Sequence, residues 1–116
     1  MICLDNIKMS RLLDCYGAFL TPSSRNVLEQ YINDDYSLSE IAERENISRQ
    51  GVRDGIQRAK NTLTDMEEKL LVVDRTDRIL AKLLKLEESL KASGLYNEYA
   101  LLIDELKNIC EEYYGI

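Results

Sequence analysis

The sequence contains no histidine. That absence removes the commonest general base, the Ser-His and Cys-His nucleophile pairs, and most zinc and non-haem iron sites. Cys3, Cys15 and Cys110 are scattered with no Cys-x-x-Cys pair among them, which excludes a zinc ribbon and a thioredoxin-type centre. They read as reduced thiols; Cys15 and Cys110, set among apolar residues, read as small core side chains. No glycine-rich phosphate loop occurs either, so an enzyme is not expected, nor a cofactor or a bound metal. Tryptophan is also missing, proline is reduced to Pro22, and glycine to five positions. Sandwiches and barrels are built on turns that use Gly and Pro, so their scarcity implies an all-α protein. No apolar run approaches the roughly 20 residues that span a bilayer. No charged-then-apolar N-terminal signal is present, and a cytoplasmic protein without membrane insertion is the expectation.

What is present describes a folded chain. Of 116 residues, 45 % are apolar and 31 % charged, a balance suited to one small domain with or without an extension. The formal charge of −6 is unevenly placed. Residues 1–62 carry eight Lys/Arg against nine Asp/Glu, a net of −1, and residues 63–116 carry seven against twelve, a net of −5. An acidic total weakens phosphate attraction, so a nucleic-acid ligand requires a local excess of positive charge.

Helical signals follow one another along the chain. Met9, Leu12, Leu13, Tyr16, Phe19 and Leu20 have helical spacing over the first segment. Thr21-Pro22 combines a hydroxyl cap with proline at the first helical position, and the helix it opens runs to about Asn33. Ser37-Leu38-Ser39-Glu40 is a capping box that opens a short helix with Ile41 and Ala42 inward. Glu45-Asn46-Ile47 makes a turn in which Asn46 tolerates the left-handed conformation, and Ser48 caps the next helix.

That next helix carries Val52, Ile56, Ala59, Leu63, Met66, Leu70 and Val73 at alternating spacings of four and three. A second stripe, Ile79, Leu83, Leu86 and Leu90, is out of phase with it, which predicts a kink near Asp74–Thr76. Ser93-Gly94 ends this segment, and a last helix is expected from about Asn97 to Tyr114. The division expected is a helix-turn-helix domain over 1–62 and a helical extension over 63–116. The long stripe is covered either by the last two helices folding back or by a second copy of the chain, and a homodimer is preferred. Tyr96, Tyr99, Tyr113 and Tyr114 are expected to pack, and the paired glutamates at 67–68, 87–88 and 111–112 to face solvent.

Residues 37–59 have the layout of a helix-turn-helix: small Ala42 where the helices cross, Asn46 in the turn, and Val52 buried in the second helix. The first turn of that second helix reads Arg49-Gln50-Gly51, followed by Arg53. Arginine suits guanine and glutamine suits adenine. From Ser48 to Thr62 the charges are Arg49, Arg53, Arg58 and Lys60 against Asp54, a local +3. Ser48, Arg49, Gln50, Arg53, Arg58 and Lys60 are therefore the candidate nucleic-acid contacts. The same layout also serves as a protein-docking element, with its arginines on a solvated face. Gly51 and Gly55 either admit a nucleic-acid backbone closely or are tolerated for packing.

The stretch from Leu20-Thr21 through Tyr31-Ile32-Asn33-Asp34-Asp35-Tyr36-Ser37-Leu38-Ser39-Glu40-Ile41-Ala42-Glu43, followed by Ser48-Arg49-Gln50-x-Val52-x-Asp54-x-Ile56-x-Arg58, resembles the YlxM family of small bacterial helix-turn-helix proteins. Members are typically encoded beside the signal recognition particle protein and its receptor. The resemblance implies a fold similar to region 4 of sigma factors and a regulatory or accessory role in that pathway. Promoter DNA, the particle's RNA or the particle's protein are the partners it suggests. Gly51, Arg53 and Gly55 depart from the family's usual residues.

Overall fold

The computed structural model describes residues 4–112. They form six α-helices and no strand: α1 Leu4–Tyr16, α2 Pro22–Ile32, α3 Leu38–Glu45, α4 Arg49–Leu70, α5 Val72–Ser93 and α6 Tyr96–Glu111. A single 3-10 turn, Gly17–Phe19, follows α1. The molecule is elongated, with principal extents of 60 × 29 × 20 Å. No helix among the described residues is long and apolar enough to cross a membrane. Cys3, Tyr113 and Tyr114 lie outside the described residues.

Local chemistry fixes most of the boundaries. Thr21 accepts a hydrogen bond from the Ser24 amide at 3.3 Å, with Pro22 at the first helical position of α2. At α3, the Glu40 amide donates to Ser37 Oγ (3.1 Å) and the Ser37 amide donates back to Glu40 Oε1 (3.5 Å), completing the capping box. At the other end of α5, Gly94 adopts φ 76°, and the Leu95 amide donates to the Leu90 carbonyl, a Schellman closure.

The core lies where α1, α2 and α3 converge on the N-terminal two thirds of α4. Leu12, Leu28, Ile41, Val52 and Leu63 are its largest fully buried side chains, each contributing about 1.5–3 kcal/mol by removal from water. The apolar stripe on α4 is therefore neither an open seam nor covered by α5 and α6: α1–α3 cover it from Val52 to Leu63. Leu63, which the sequence assigns to the extension, is part of this core, and Leu70 at the far end of α4 is exposed. Phe19, spaced as if inward, is 71 % exposed because the chain leaves α1 for the 3-10 turn before reaching it.

The helix break falls at Leu71, three residues before the expected kink. Leu71 is in the left-handed region (φ 55°, ψ 30°), which costs a non-glycine residue about 1–2 kcal/mol. A polar cluster holds it there. Glu67 Oε1 accepts from the Val73 amide (3.1 Å) and Oε2 from the Asp74 amide (3.0 Å), so a side chain of α4 caps α5. The Tyr16 hydroxyl donates to Glu67 Oε1 (2.6 Å) and accepts from the Val72 amide (3.2 Å). Burial, and then the bond to Glu67, push the Tyr16 phenol well above its ordinary range. Arg11 pairs with Asp77, tying α1 to α5 on the far side of the joint.

Candidate nucleic-acid interface

The turn between α3 and α4 is built from the chain's own caps. Asn46 sits at φ 55°, ψ 46°, the Ile47 amide donates to the Ala42 carbonyl (3.0 Å), and the Asn46 amide donates to the Glu43 carbonyl (3.4 Å). Ser48 then accepts from the Gly51 amide at 2.9 Å and starts α4. The two helices thus meet as the motif predicted, with Ile41, Ala42, Val52 and Ile56 buried between them and the rest of the core.

With that face inward, Arg49, Gln50, Arg53 and Arg58 are exposed on α4, and Lys60 is half-buried. At 3.6 residues per turn, Arg49 and Arg53 project about 40° apart and Lys60 lies about 20° from Arg53, two turns further on. Arg58, nine residues from Arg49, projects about 180° away from it. The structure therefore brings Arg49, Arg53 and Lys60 to one flank, sets Gln50 on the outer face between the flanks, and leaves Arg58 on the other, beside Thr21, Ser23 and Ser24 at the start of α2. Gln50 Nε2 donates to Asp54 Oδ1 (3.0 Å), so an acid shares the outer surface with the arginines. The Lys60 ammonium lies 5.5 Å from the centre of the Tyr31 ring on α2.

The two glycines of α4 play different parts. Gly55 is buried, and a Cβ there would stand 3.2 Å from Val27 Cγ2 of α2. It is a packing residue that lets α2 and α4 approach, and it faces the core, away from any groove-facing surface. Gly51 is half-buried beside Ser48 Oγ and Ile47.

One supporting element carries no pattern in the sequence. Gln30 of α2 is buried, donates to Glu45 Oε1 (2.6 Å) and accepts from Arg44 Nε (3.0 Å). Arg44 also lies over the Tyr36 ring, 4.6 Å from its centre. This bracket fixes the last turn of α3 against α2, and so fixes the angle at which α4 is presented. A lone glutamine within an amphipathic helix gives no signal of it.

The profile of the family described as "Putative helix-turn-helix protein, YlxM / p13 like" matches residues 4–100. The chain belongs to this family. Relatives span it nearly end to end. A UPF0122 protein of Acetivibrio thermocellus is 43 % identical over 105 residues, covering 87 % of this chain and 89 % of its own. That of Clostridium novyi is 36 % identical over 112 residues, covering 94 % and 97 %. A Thermoanaerobacter sp. relative is 45 % identical over 87 residues, covering 75 % and 74 %. The family is described by its helix-turn-helix and not by a reaction.

Proposed function

We propose that the chain is a cytoplasmic nucleic-acid-binding accessory or regulatory protein of the signal recognition particle pathway, active as a homodimer. Its fold resembles sigma-factor region 4, and the first turn of α4 makes the contact. The observation that carries this reading is the exposure of Arg49, Gln50 and Arg53 at the capped start of α4, inside the +3 stretch of an otherwise acidic chain. Arginine and glutamine there have the donors that base edges and phosphates accept. Lys60 extends the same flank toward a second phosphate, and Arg58 meets the backbone from the opposite side. DNA offers α4 a major groove. The particle's RNA, with a deep and narrow major groove, is contacted through phosphates and shape.

Fluorescence anisotropy with a labelled DNA duplex and the labelled particle RNA, at low and moderate salt, tests the reading. Binding that weakens steeply with salt and is lost in the Arg49→Ala, Arg53→Ala double variant supports it, and the preferred ligand identifies the target. Absence of binding to both at low salt overturns it. The second reading, a protein-docking module in the same pathway, is favoured by Asp54, whose carboxylate occupies the outer face beside Gln50.

A further inference from the structure

The α5–α6 hairpin has two unlike faces. On one, Lys107 donates to Glu87 (2.6 Å), Lys91 pairs with Glu87 (3.4 Å), and Lys91 lies 4.8 Å from the Tyr96 ring centre. Leu83, Ile103 and Cys110 are the side chains buried where α6 packs along α5. At about 100° per residue, Glu87 and Lys91 are rotated to one side of Leu83, and Ile79 and Leu86 to the other. On α6, Lys107 is rotated in the same sense from Ile103 as Glu87 is from Leu83, while Tyr99, Leu102, Leu106 and Ile109 are rotated in the opposite sense. The helices are antiparallel, so equal senses of rotation fall on one face of the pair. Ile79 and Leu86 thus join Tyr99, Leu102, Leu106 and Ile109 in a single apolar face opposite the ion pair. All six are exposed, with Leu102 at 57 % and Ile109 at 55 %.

The margins of that face carry opposite charge. Arg78, Lys82 and Lys85 follow the outer edge of α5, and Glu98, Glu105 and Glu112 follow the outer edge of α6. All six are exposed. Lys82, Lys85, Glu98 and Glu105 have no ion pair among the described residues, and Arg78 has only a loose 3.7 Å contact to Asp74.

We propose that this face binds the same face of a second copy, related by a two-fold axis parallel to the hairpin, so that α5 of each chain lies on α6 of the other in a four-helix bundle. The charge of the margins selects that arrangement. An axis along the helices sets each basic edge against the partner's acidic edge. An axis across them sets basic against basic and acidic against acidic, where like charges oppose association. The selected axis also puts both helix-turn-helix units at one end of the bundle, where two α4 helices address one duplex. The inference rests on the homodimer reading above and specifies its surface.

Sedimentation velocity on the full chain, with circular dichroism to confirm helicity, tests it. Three variants are compared with the parent: Lys82→Glu with Lys85→Glu, Glu105→Lys with Glu112→Lys, and Leu102→Asp on the apolar face. Each is expected to keep its helicity and to raise the dimer dissociation constant at least about tenfold. The two charge-reversed proteins mixed in equal amounts are expected to form a heterodimer of parental affinity, because both edges are again complementary. A monomeric parent overturns both the homodimer reading and this surface. A dimeric parent with unaffected variants overturns this surface alone. Weakened variants that fail to rescue each other overturn the parallel axis.

Discussion

The Tyr16 hydroxyl donates to the Glu67 carboxylate at 2.6 Å across 51 residues of chain. It couples the end of α1 to the joint between α4 and α5, and it gives Glu67 a neutral partner while its oxygens cap the amides of Val73 and Asp74.

Tyr16→Phe removes a hydrogen bond to a charged group and leaves the Val72 amide without its acceptor. A loss of about 1.5–3 kcal/mol in unfolding free energy is expected, read as a lower urea midpoint. A parental midpoint would show that the bond carries no net stability.

The same hydroxyl gives the protein an alkaline limit. Its pKa is raised in the folded chain, whereas an unfolded tyrosine titrates near 10. The folded state holds the proton more tightly, so this contribution is complete below about pH 10 and is lost as pH rises toward the folded value. Urea midpoints measured through this range should fall more steeply for the parent than for Tyr16→Phe.

Gly55→Ala is expected to destabilise, although alanine gains about 1 kcal/mol in helix propensity. The new methyl meets Val27 Cγ2 at 3.2 Å inside a packed contact, and overpacking costs about 1–3 kcal/mol. A net loss of about 1 kcal/mol in a urea titration is the expected result, and a gain would mean that α2 moves freely away from α4.

Gln30→Ala removes the bracket between α2 and α3. Arg44 and Glu45 reach solvent and rehydrate, so the expected loss is about 1–2 kcal/mol. Amide exchange should quicken in α3 before it does in the core of α4.

Arg53→Ala and Arg58→Ala separate the two flanks of α4. If the first turn enters a groove, Arg53→Ala should weaken DNA binding by about 1–3 kcal/mol. Arg58→Ala should mainly flatten the salt dependence, by about one phosphate contact. Equal and sequence-independent losses would place α4 across the backbone instead.

The parts legible in the sequence are those written locally. Ser37 with Glu40, Thr21 with Pro22, and Asn46 before Ser48 each act within a few residues, and all three stand where the spacing put them. The stripe on α4 gave the buried face but not its cover, since periodicity does not say which helix lies opposite. Spacing puts the break at Leu71 three residues too late because its cause is the long-range pairing of Tyr16 with Glu67. Gly55 is ambiguous in the sequence for the same reason, its neighbour Val27 being 28 residues away. Helix rotation separates Arg58 from the other candidates; a count of charges does not.

Helix α4 is a single unbroken rod of 22 residues, about 33 Å long at 1.5 Å per residue. Its first turn presents Arg49 and its last turns hold Glu67, so the proposed contact surface and the joint are two ends of one lever. The joint is pinned by Tyr16, Glu67 and Leu71, none of which can reach a ligand at Arg49. A substitution there changes the angle at which the lever leaves the hairpin and, in the dimer proposed above, the separation of the two first turns of α4. Under that proposal, the spacing between the two contact surfaces is set some 30 Å from the proposed contact residues, by side chains that a scan of contacts would pass over.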